Sequence, residues 1–162
     1  MTRKTIIGVM GVGENATTQE MDYGYQLGKL IAENDWILLT GGRNVGVMEA
    51  ANQGAKAANG LTVGILPDRT PSNVSSAVDI AIFTDLGNAR NNINVLSSDI
   101  IIACGMGLGT ASEVALALKN GKKAILLAPN SQSQAFFLNL ASYRLFIADN
   151  PQDAIAIVKR EL

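Results

Sequence analysis

The sequence has no histidine, a single cysteine and few aromatic residues, which make up 5% of its 162 positions. Without histidine, the chain cannot form a Ser-His-Asp or Cys-His catalytic group, an imidazole general base or the usual zinc site. The one cysteine, Cys104, allows no internal disulfide, so a reducing cytoplasm is the expected compartment. Because Cys104 ends an apolar strand pattern, we expect a buried and unreactive thiol.

Runs of one charge and long hydrophobic runs are also missing. The formal net charge is −1, from 13 basic and 14 acidic residues scattered along the chain. This distribution lacks the basic footprint of proteins that bind nucleic acids or anionic membranes. The first apolar stretch, 5–10, is too short for a signal sequence or a membrane span. We expect a cytoplasmic protein with no nucleic-acid or membrane partner and no metal held by its own side chains.

Short apolar runs alternate with helical patterns along the whole chain. Hydrophobic residues make up 48% of it and Ala, Ile, Leu and Val dominate, which is typical of buried parallel strands covered by helices. The predicted strands are 5–10, 36–40, 61–66, 79–84, 99–105, 123–128 and 144–149. The predicted helices are 17–33, 44–59, 86–97, 110–120, 133–141 and 151–161. This order predicts an α/β fold: a single doubly wound Rossmann-like domain over 1–162, with about seven mostly parallel strands and helices on both faces.

Three of the predicted strands end in glycine-rich segments: MGVGENAT after the first, TGGRNVG after the second and CGMGLGT after the fifth. In open α/β sheets, ligands bind beyond the carboxyl ends of the strands, where glycine allows close backbone approach and helix N-termini attract anions. One such segment is ordinary turn chemistry. Three at one edge of a sheet predict a site for an anionic, phosphorylated ligand.

The common nucleotide-binding patterns fit these segments poorly. A dinucleotide site needs G-x-G-x-x-G after the first strand and an acidic residue at the end of the second. Gly11 and Gly13 are followed by Ala16 in the third place, but the second strand ends in LLTGGR, without a carboxylate. No Gly-Lys-Ser/Thr follows any glycine run, so the P-loop pattern is missing too.

Two arginines lie close to the predicted ligand. Arg43 lies inside the second glycine segment and suits a phosphate, because its guanidinium presents a fixed fork of donors. Arg90 lies near the start of a predicted helix. For either arginine the alternative role is a surface ion pair, for instance that of Arg90 with Asp85 or Asp99.

Glu113 has a structural and a chemical interpretation. It follows Thr110 by three residues, which is the spacing of a capping box, and a glutamate is favoured in a first helical turn. Spacing therefore favours a helix cap, and a role in chemistry stays open.

Two segments, TGGRNVGVMEAANQGA and GMGLGTASEVALALKNGKKAILL, resemble the lysine decarboxylase-like superfamily, which includes the Lonely Guy cytokinin-activating phosphoribohydrolases. Its signature is Pro-Gly-Gly-x-Gly-Thr-x-x-Glu, preceded by G-G-x-x-x-G-x-M. The matching residues are Gly41, Gly42, Gly46, Met48, Gly107, Gly109, Thr110 and Glu113, whereas Gly105 and Met106 depart from the pattern. In the hydrolases an Arg-Lys pair works with the glutamate on an N-glycosidic bond. Here Arg90 is followed by Asn91, so the lysine is lost.

Over nearly all of its length, including VGILPDRT and GNARNNINVLSSDIIIACG, the chain is similar to the molybdenum cofactor carrier branch of that superfamily. This resemblance implies that the chain binds the molybdenum cofactor (Moco, a molybdopterin) without turning it over. It also implies a homo-oligomer, dimer or tetramer, and Moco-dependent enzymes or insertion factors as recipients. The apolar face of the 86–97 and 110–120 helices would suit a dimer seam.

Two functions follow from the resemblance. In the carrier, backbone N–H groups of 42–45 and 107–110 hold the phosphate with Arg43, and the pterin reaches Asn88, Ser112 and the 67–76 loop. The predicted binding residues are Gly11, Gly13, Gly41, Gly42, Arg43, Asn44, Gly46, Asn88, Gly105, Gly107, Leu108, Gly109 and Thr110. The alternative is a nucleoside 5′-monophosphate phosphoribohydrolase that uses Arg90 and Glu113 as catalytic residues.

Overall fold

The computed structural model describes residues 3–162, so the first two residues of the predicted domain lie outside the described residues. The strands are β1 (Ile6–Gly11), β2 (Ile37–Thr40), β3 (Thr62–Leu66), β4 (Ile80–Phe83), β5 (Ile100–Cys104), β6 (Lys123–Leu127) and β7 (Leu145–Ala148). The helices are α1 (Thr18–Glu33), α2 (Gly46–Ala57), α3 (Arg90–Ser97), α4 (Leu108–Lys119), α5 (Ser131–Ala141) and α6 (Pro151–Glu161). The strands form one sheet in the order β4-β3-β2-β1-β5-β6-β7, and every pairing is parallel.

The predicted α/β fold with a doubly wound sheet is confirmed, and the sheet is parallel throughout rather than mostly parallel. The differences lie at helix starts. Helix α4 begins at Leu108 rather than at residue 110, and the predicted helix 86–97 starts with a 3₁₀ turn, Gly87–Ala89, before α3. Within residues 3–162, no helix is both long and apolar enough to cross a membrane.

Helices cover both faces of the sheet. Helices α1, α2 and α6 pack on one face, and α3, α4 and α5 pack on the other. Strand β5 is therefore buried at every position, which explains why it reads as an unbroken apolar run. The side chains that anchor the helices are Leu27, Ile31, Ala51, Ile155 and Val158 on the first face and Val95, Val114, Ala117 and Phe137 on the second.

The direction of strand addition reverses between β1 and β5. From β1 the chain builds outward to β4, and then returns to place β5 on the other side of β1. The helices that follow β1 and β5 consequently leave the sheet on opposite faces, and a crevice opens between them at the carboxyl ends of the strands. All three glycine-rich segments follow strands at this point, because β2, β1 and β5 are neighbours.

Glycines bring α1 and α2 unusually close together. A Cβ atom on Gly28 would lie 1.9 Å from the carbonyl oxygen of Ala51, and one on Gly54 would lie 1.9 Å from that of Tyr25. Neither position can hold a side chain unless a backbone moves. This contact sets the position of α2, whose first turn also meets the loop after β1 through the Val47 N–H, which donates to the Val12 carbonyl oxygen at 3.0 Å.

We expect Gly28→Ala to destabilise the protein, because the added methyl group would collide with the α2 backbone. Overpacking of this kind costs about 1–3 kcal/mol, or roughly 2–12 °C in melting temperature for a chain of this size. The matched control is Gly109→Ala, because a Cβ atom there meets nothing within 4 Å. Thermal melts of both variants check the prediction, and equal melting temperatures would contradict it.

Candidate functional site

A cavity of about 260 Å³ lies in the crevice above β1, β2 and β5, and we call it the switch-point cavity. Its walls come from the loops after these three strands, the first turn of α4 and the start of α3. The structure brings together most of the predicted site residues there. These are Gly11, Gly13, Gly41, Arg43, Asn88, Arg90, Gly107, Leu108, Gly109, Thr110 and Glu113.

Four predicted binding residues lie outside the cavity wall: Gly42, Asn44, Gly46 and Gly105. The backbone N–H groups of Gly42 and Asn44 donate to the Thr40 hydroxyl and the Asn73 carbonyl oxygen, both at 3.0 Å. The prediction that these two N–H groups hold a phosphate does not fit, because acceptors within the protein already engage them.

Gly46 and Gly105 shape the loops from behind the wall. Both have positive φ, 56° and 74°. A Cβ atom on Gly46 would lie 2.1 Å from the Gly13 carbonyl oxygen, and one on Gly105 would lie 2.3 Å from the Glu20 carboxylate. These glycines allow neighbouring segments to approach, and their own atoms do not face the cavity.

The cavity also contains residues that sequence reasoning missed. They are Val9, Met10, Val12, Met48 and Asn91. Met48 belongs to the G-G-x-x-x-G-x-M pattern, and Asn91 takes the place of the lysine, so both carried a signal. Val9 and Met10 carried no sequence signal for a site other than their position at the end of β1. Together these residues give the cavity a partly apolar wall.

A second depression, the adjoining groove, continues from the cavity along α3 and α4 and has a volume of about 660 Å³. The two share Asn88, Asn91, Leu108 and Gly109. Ser112 lines the groove rather than the cavity, and its hydroxyl oxygen accepts a hydrogen bond from the Asn91 amide at 2.8 Å. A ligand larger than the cavity can therefore extend between these helices.

Helix N-termini differ in whether a side chain caps them. Helices α1, α5 and α6 are capped by the preceding residues Thr17, Asn130 and Asn150, whose side chains accept hydrogen bonds from the first turn. Helices α2, α3 and α4 have no side-chain cap. At α4 the capping position is Gly107, so the first N–H groups of that helix meet the cavity without an acceptor from a capping side chain. Such a terminus attracts an anion through its N–H groups and its dipole.

The predicted capping box of Thr110 and Glu113 is wrong. That spacing makes a cap only if the helix starts directly after Thr110, but extended backbone at Gly107 starts α4 two residues earlier than predicted. Glu113 is instead 7% exposed and lines the cavity, where its Oε1 accepts a hydrogen bond from the Asn94 amide at 2.8 Å. The true capping box joins Thr17 and Glu20 at α1.

Arg90 lies inside the site. A Cβ atom on Gly41 would lie 2.2 Å from its Nη1 atom, so the guanidinium lies directly against that glycine. Burial lowers the pKa of Arg90; the Glu113 charge opposes this shift and the Arg43 charge adds to it. The alternative ion pairs of Arg90 with Asp85 and Asp99 do not form; those carboxylates instead bind Arg69 and Arg3.

Two further features complete the electrostatics of the site. Burial raises the pKa of Glu113, whereas the Asn94 hydrogen bond and the Arg90 charge oppose the rise. At the mouth, Arg43 forms an ion pair with Glu14 at 3.8 Å between the second and first glycine loops, and its side chain is 35% exposed. The cavity thus combines two guanidinium groups and a helix N-terminus with one buried acid.

Cys104 lies outside the cavity and is 1% exposed, as expected. Burial raises the pKa of its thiol to about 12, with the Glu20 charge as a second cause. The thiol donates to the Glu20 carbonyl oxygen at 3.3 Å. Such a group carries almost no thiolate at neutral pH, which agrees with the prediction of an unreactive cysteine.

The sequence profile of the SLOG cluster4 family matches residues 4–155. The chain belongs to the SLOG cluster4 family. This SLOG cluster4 protein is similar to the molybdenum cofactor binding protein of the phototrophic bacterium Rippkaea orientalis, with 62% identity, 99% of each chain covered and a TM-score of 0.97. The Moco carrier protein of Chlamydomonas reinhardtii is 50% identical, with 98% of this chain and 97% of that chain covered and a TM-score of 0.92. A more distant relative is a cytokinin riboside 5′-monophosphate phosphoribohydrolase of Mycobacterium tuberculosis, 28% identical with 83% of each chain covered.

We expect Glu113→Gln to raise the melting temperature at pH 8 by a few degrees, because it removes a buried charge and keeps an acceptor for Asn94. The folded protein holds a proton on Glu113 more tightly than the unfolded chain does. The wild type therefore loses stability as pH rises from the unfolded-state pKa through the higher folded-state pKa.

The difference in melting temperature should accordingly shrink toward pH 4.5. Melts of both proteins from pH 4.5 to 8 measure it, with Glu33→Gln on the exposed end of α1 as the control. A difference that does not change with pH would show that Glu113 titrates normally in the folded protein.

Proposed function

We propose that this protein binds the molybdenum cofactor and carries it without turning it over. The observation that carries the proposal is the convergence of the uncapped α4 terminus with two guanidinium groups in the switch-point cavity. A phosphate monoester is the anion for which such a site is suited, because guanidinium and backbone N–H groups both donate to its oxygens. Similarity to the Rippkaea and Chlamydomonas proteins over nearly the whole chain supports Moco as the ligand.

In this proposal the phosphate binds the backbone N–H groups of 108–110, and the lining of the cavity by Arg43 and Arg90 supports that position. Gly11, Gly13 and Gly41 allow the ligand to approach the backbone. The pterin then extends over the strand ends toward Asn88 and into the adjoining groove at Ser112. The cavity and the groove that continues from it together offer room for a tricyclic ring system, one edge of which lies over the cavity wall at Glu113.

A second candidate function is hydrolysis of a nucleoside 5′-monophosphate. It is favoured by one observation: the Arg90 guanidinium and the Glu113 carboxylate share the cavity and influence each other's pKa. The Mycobacterium relative is named for this reaction. In that case Glu113 would stabilise the oxocarbenium-like charge at the sugar, and Arg90 would be its partner.

Ultrafiltration of the purified protein with freshly released Moco tests the carrier, with retained pterin measured by its oxidised fluorescence. We expect saturable retention near one pterin per chain, poor displacement by AMP, and no release of adenine from AMP. Arg43→Ala should weaken retention about 10- to 100-fold, since hydrogen bonds to charged groups contribute about 1.5–3 kcal/mol.

Arg69→Ala is the matched control, because Arg69 pairs with Asp85 and does not line the cavity. Absence of retention by the wild type would overturn the carrier. Adenine release that Glu113→Gln abolishes would make hydrolysis the function.

We also propose that the protein is cytoplasmic, works as a homo-oligomer and delivers Moco to Moco-dependent enzymes or insertion factors. The apolar residues exposed on α3 and α4 support the oligomer. Leu96 is 50% exposed and Leu108 is 94% exposed, and Leu108 also lines both the cavity and the adjoining groove. A second copy packed on this face would cover both side chains and close the groove.

We expect sedimentation equilibrium to show a dimer or tetramer, and Leu96→Glu to shift it toward the monomer because a charge would enter the apolar seam. The control is Tyr143→Glu, a change at a residue that is 75% exposed and follows α5. A monomeric wild type, or equal masses for wild type and Leu96→Glu, would contradict this seam.

A further inference from the structure

Glu113 has no task in holding a phosphate. The anion-binding groups of the cavity are Arg43, Arg90 and the start of α4, and a carboxylate near a phosphate repels it. Burial of a carboxylate also costs free energy unless the group is paired, and Glu113 is only 7% exposed. Its carboxylate is an acceptor on the wall of an otherwise cationic cavity, where a hydrogen-bond-donating part of a ligand can meet it.

The carboxylate is held in one orientation from behind. Asn94, which is fully buried on α3, donates its amide N–H to Oε1 at 2.8 Å. Glu113 follows Gly109 by one helical turn, so it lies about 6 Å further along α4 than the N–H groups of the first turn. A ligand whose phosphate binds at that first turn can therefore present a different group to the carboxylate.

An ionised carboxylate only accepts hydrogen bonds, and each of its oxygens can accept more than one. It is complementary to a ring edge that has two donors side by side. A 2-amino-4-oxopyrimidine ring, which pterins and guanine share, has such an edge in its ring N–H and exocyclic amino group. Adenine has a ring acceptor beside its amino group and can form only one of the two bonds.

We propose that Glu113 selects the heterocycle by accepting two hydrogen bonds from the donor edge of a 2-amino-4-oxopyrimidine ring. The inference rests on the proposed function, because it names which part of the carried pterin meets which side chain. Asn94 is the positioning residue that fixes the carboxylate. Burial raises the pKa of Glu113, whereas the Asn94 hydrogen bond and the Arg90 charge favour the ionised form, and two donors on the ligand would favour that form further.

The test compares direct binding of GMP and AMP by titration calorimetry, since these nucleotides share phosphate and ribose and differ in the base edge. The wild type should prefer GMP by about 10- to 100-fold, the discrimination expected of a bidentate contact to a base. Glu113→Gln should abolish this preference, because an amide N–H would face a ring N–H. Affinity for ribose 5-phosphate, which contacts only the phosphate site, should not fall, because the variant removes a charge that repels the phosphate and keeps the groups that bind it.

Glu113→Asp withdraws the carboxylate by one methylene and should also lose most of the preference, so the test survives if the glutamine variant does not fold. Glu33→Gln is the control and should keep the wild-type preference. A GMP preference retained in both Glu113 variants, or absent from the wild type, would overturn the inference. Loss of ribose 5-phosphate binding together with the preference would also overturn it, because Glu113 would then support the cavity as a whole.

Failure of the proposed function gives a different result. If the wild type prefers GMP but retains no Moco, the contact of Glu113 with the base edge is supported and the carrier function is contradicted. If it retains Moco without any difference between GMP and AMP, the carrier stands and the role of Glu113 as a selector does not.

Discussion

The parallel pairing of β1 with β5 is the interaction on which the site depends. Five residue pairs, from Ile7 with Ile100 to Gly11 with Cys104, join the two halves of the sheet. Because the two strands are followed by helices on opposite faces, their carboxyl ends cannot be covered from either side. The crevice is thus a consequence of connectivity, and the residues after β1, β2 and β5 become its walls whatever their chemistry.

The electrostatics of the crevice follow from what those walls lack. At α1, α5 and α6, the capping side chains of Thr17, Asn130 and Asn150 accept hydrogen bonds from the first turn of the helix. At α4, Gly107 has no side chain to do so, and the donors remain directed at the cavity. Arg43 and Arg90 add charge of the same sign, while buried Glu113 is the exception that calls for a ligand with donors of its own.

Glycine serves two different purposes in this fold. In α1 and α2, Gly28 and Gly54 allow two helix backbones to touch, which is a packing requirement. At Gly41, the missing side chain makes room for the Arg90 guanidinium, which is a requirement of the site. The number of glycines at strand ends therefore does not identify the residues that contact a ligand. Gly42, Gly46 and Gly105, for example, lie behind the cavity wall.

The sequence by itself determined the seven strands, the six helices and the edge of the sheet at which the switch-point cavity lies. Those features depend on the periodicity of hydrophobic residues and on glycines at strand ends, and both patterns are formed by residues close together in the sequence. It also put Arg43 and Arg90 among the candidates.

Only the tertiary structure decided where the Glu113 carboxylate lies. Local spacing favoured a cap, but the start of α4 and the amide of Asn94, 19 residues away in sequence, place the carboxylate in the cavity instead. The same holds for Arg90 against Gly41 and for the N–H groups of Gly42 and Asn44, which find acceptors in other segments. Contacts between distant parts of a chain have no periodicity, so they become visible only when the sheet has brought those parts together.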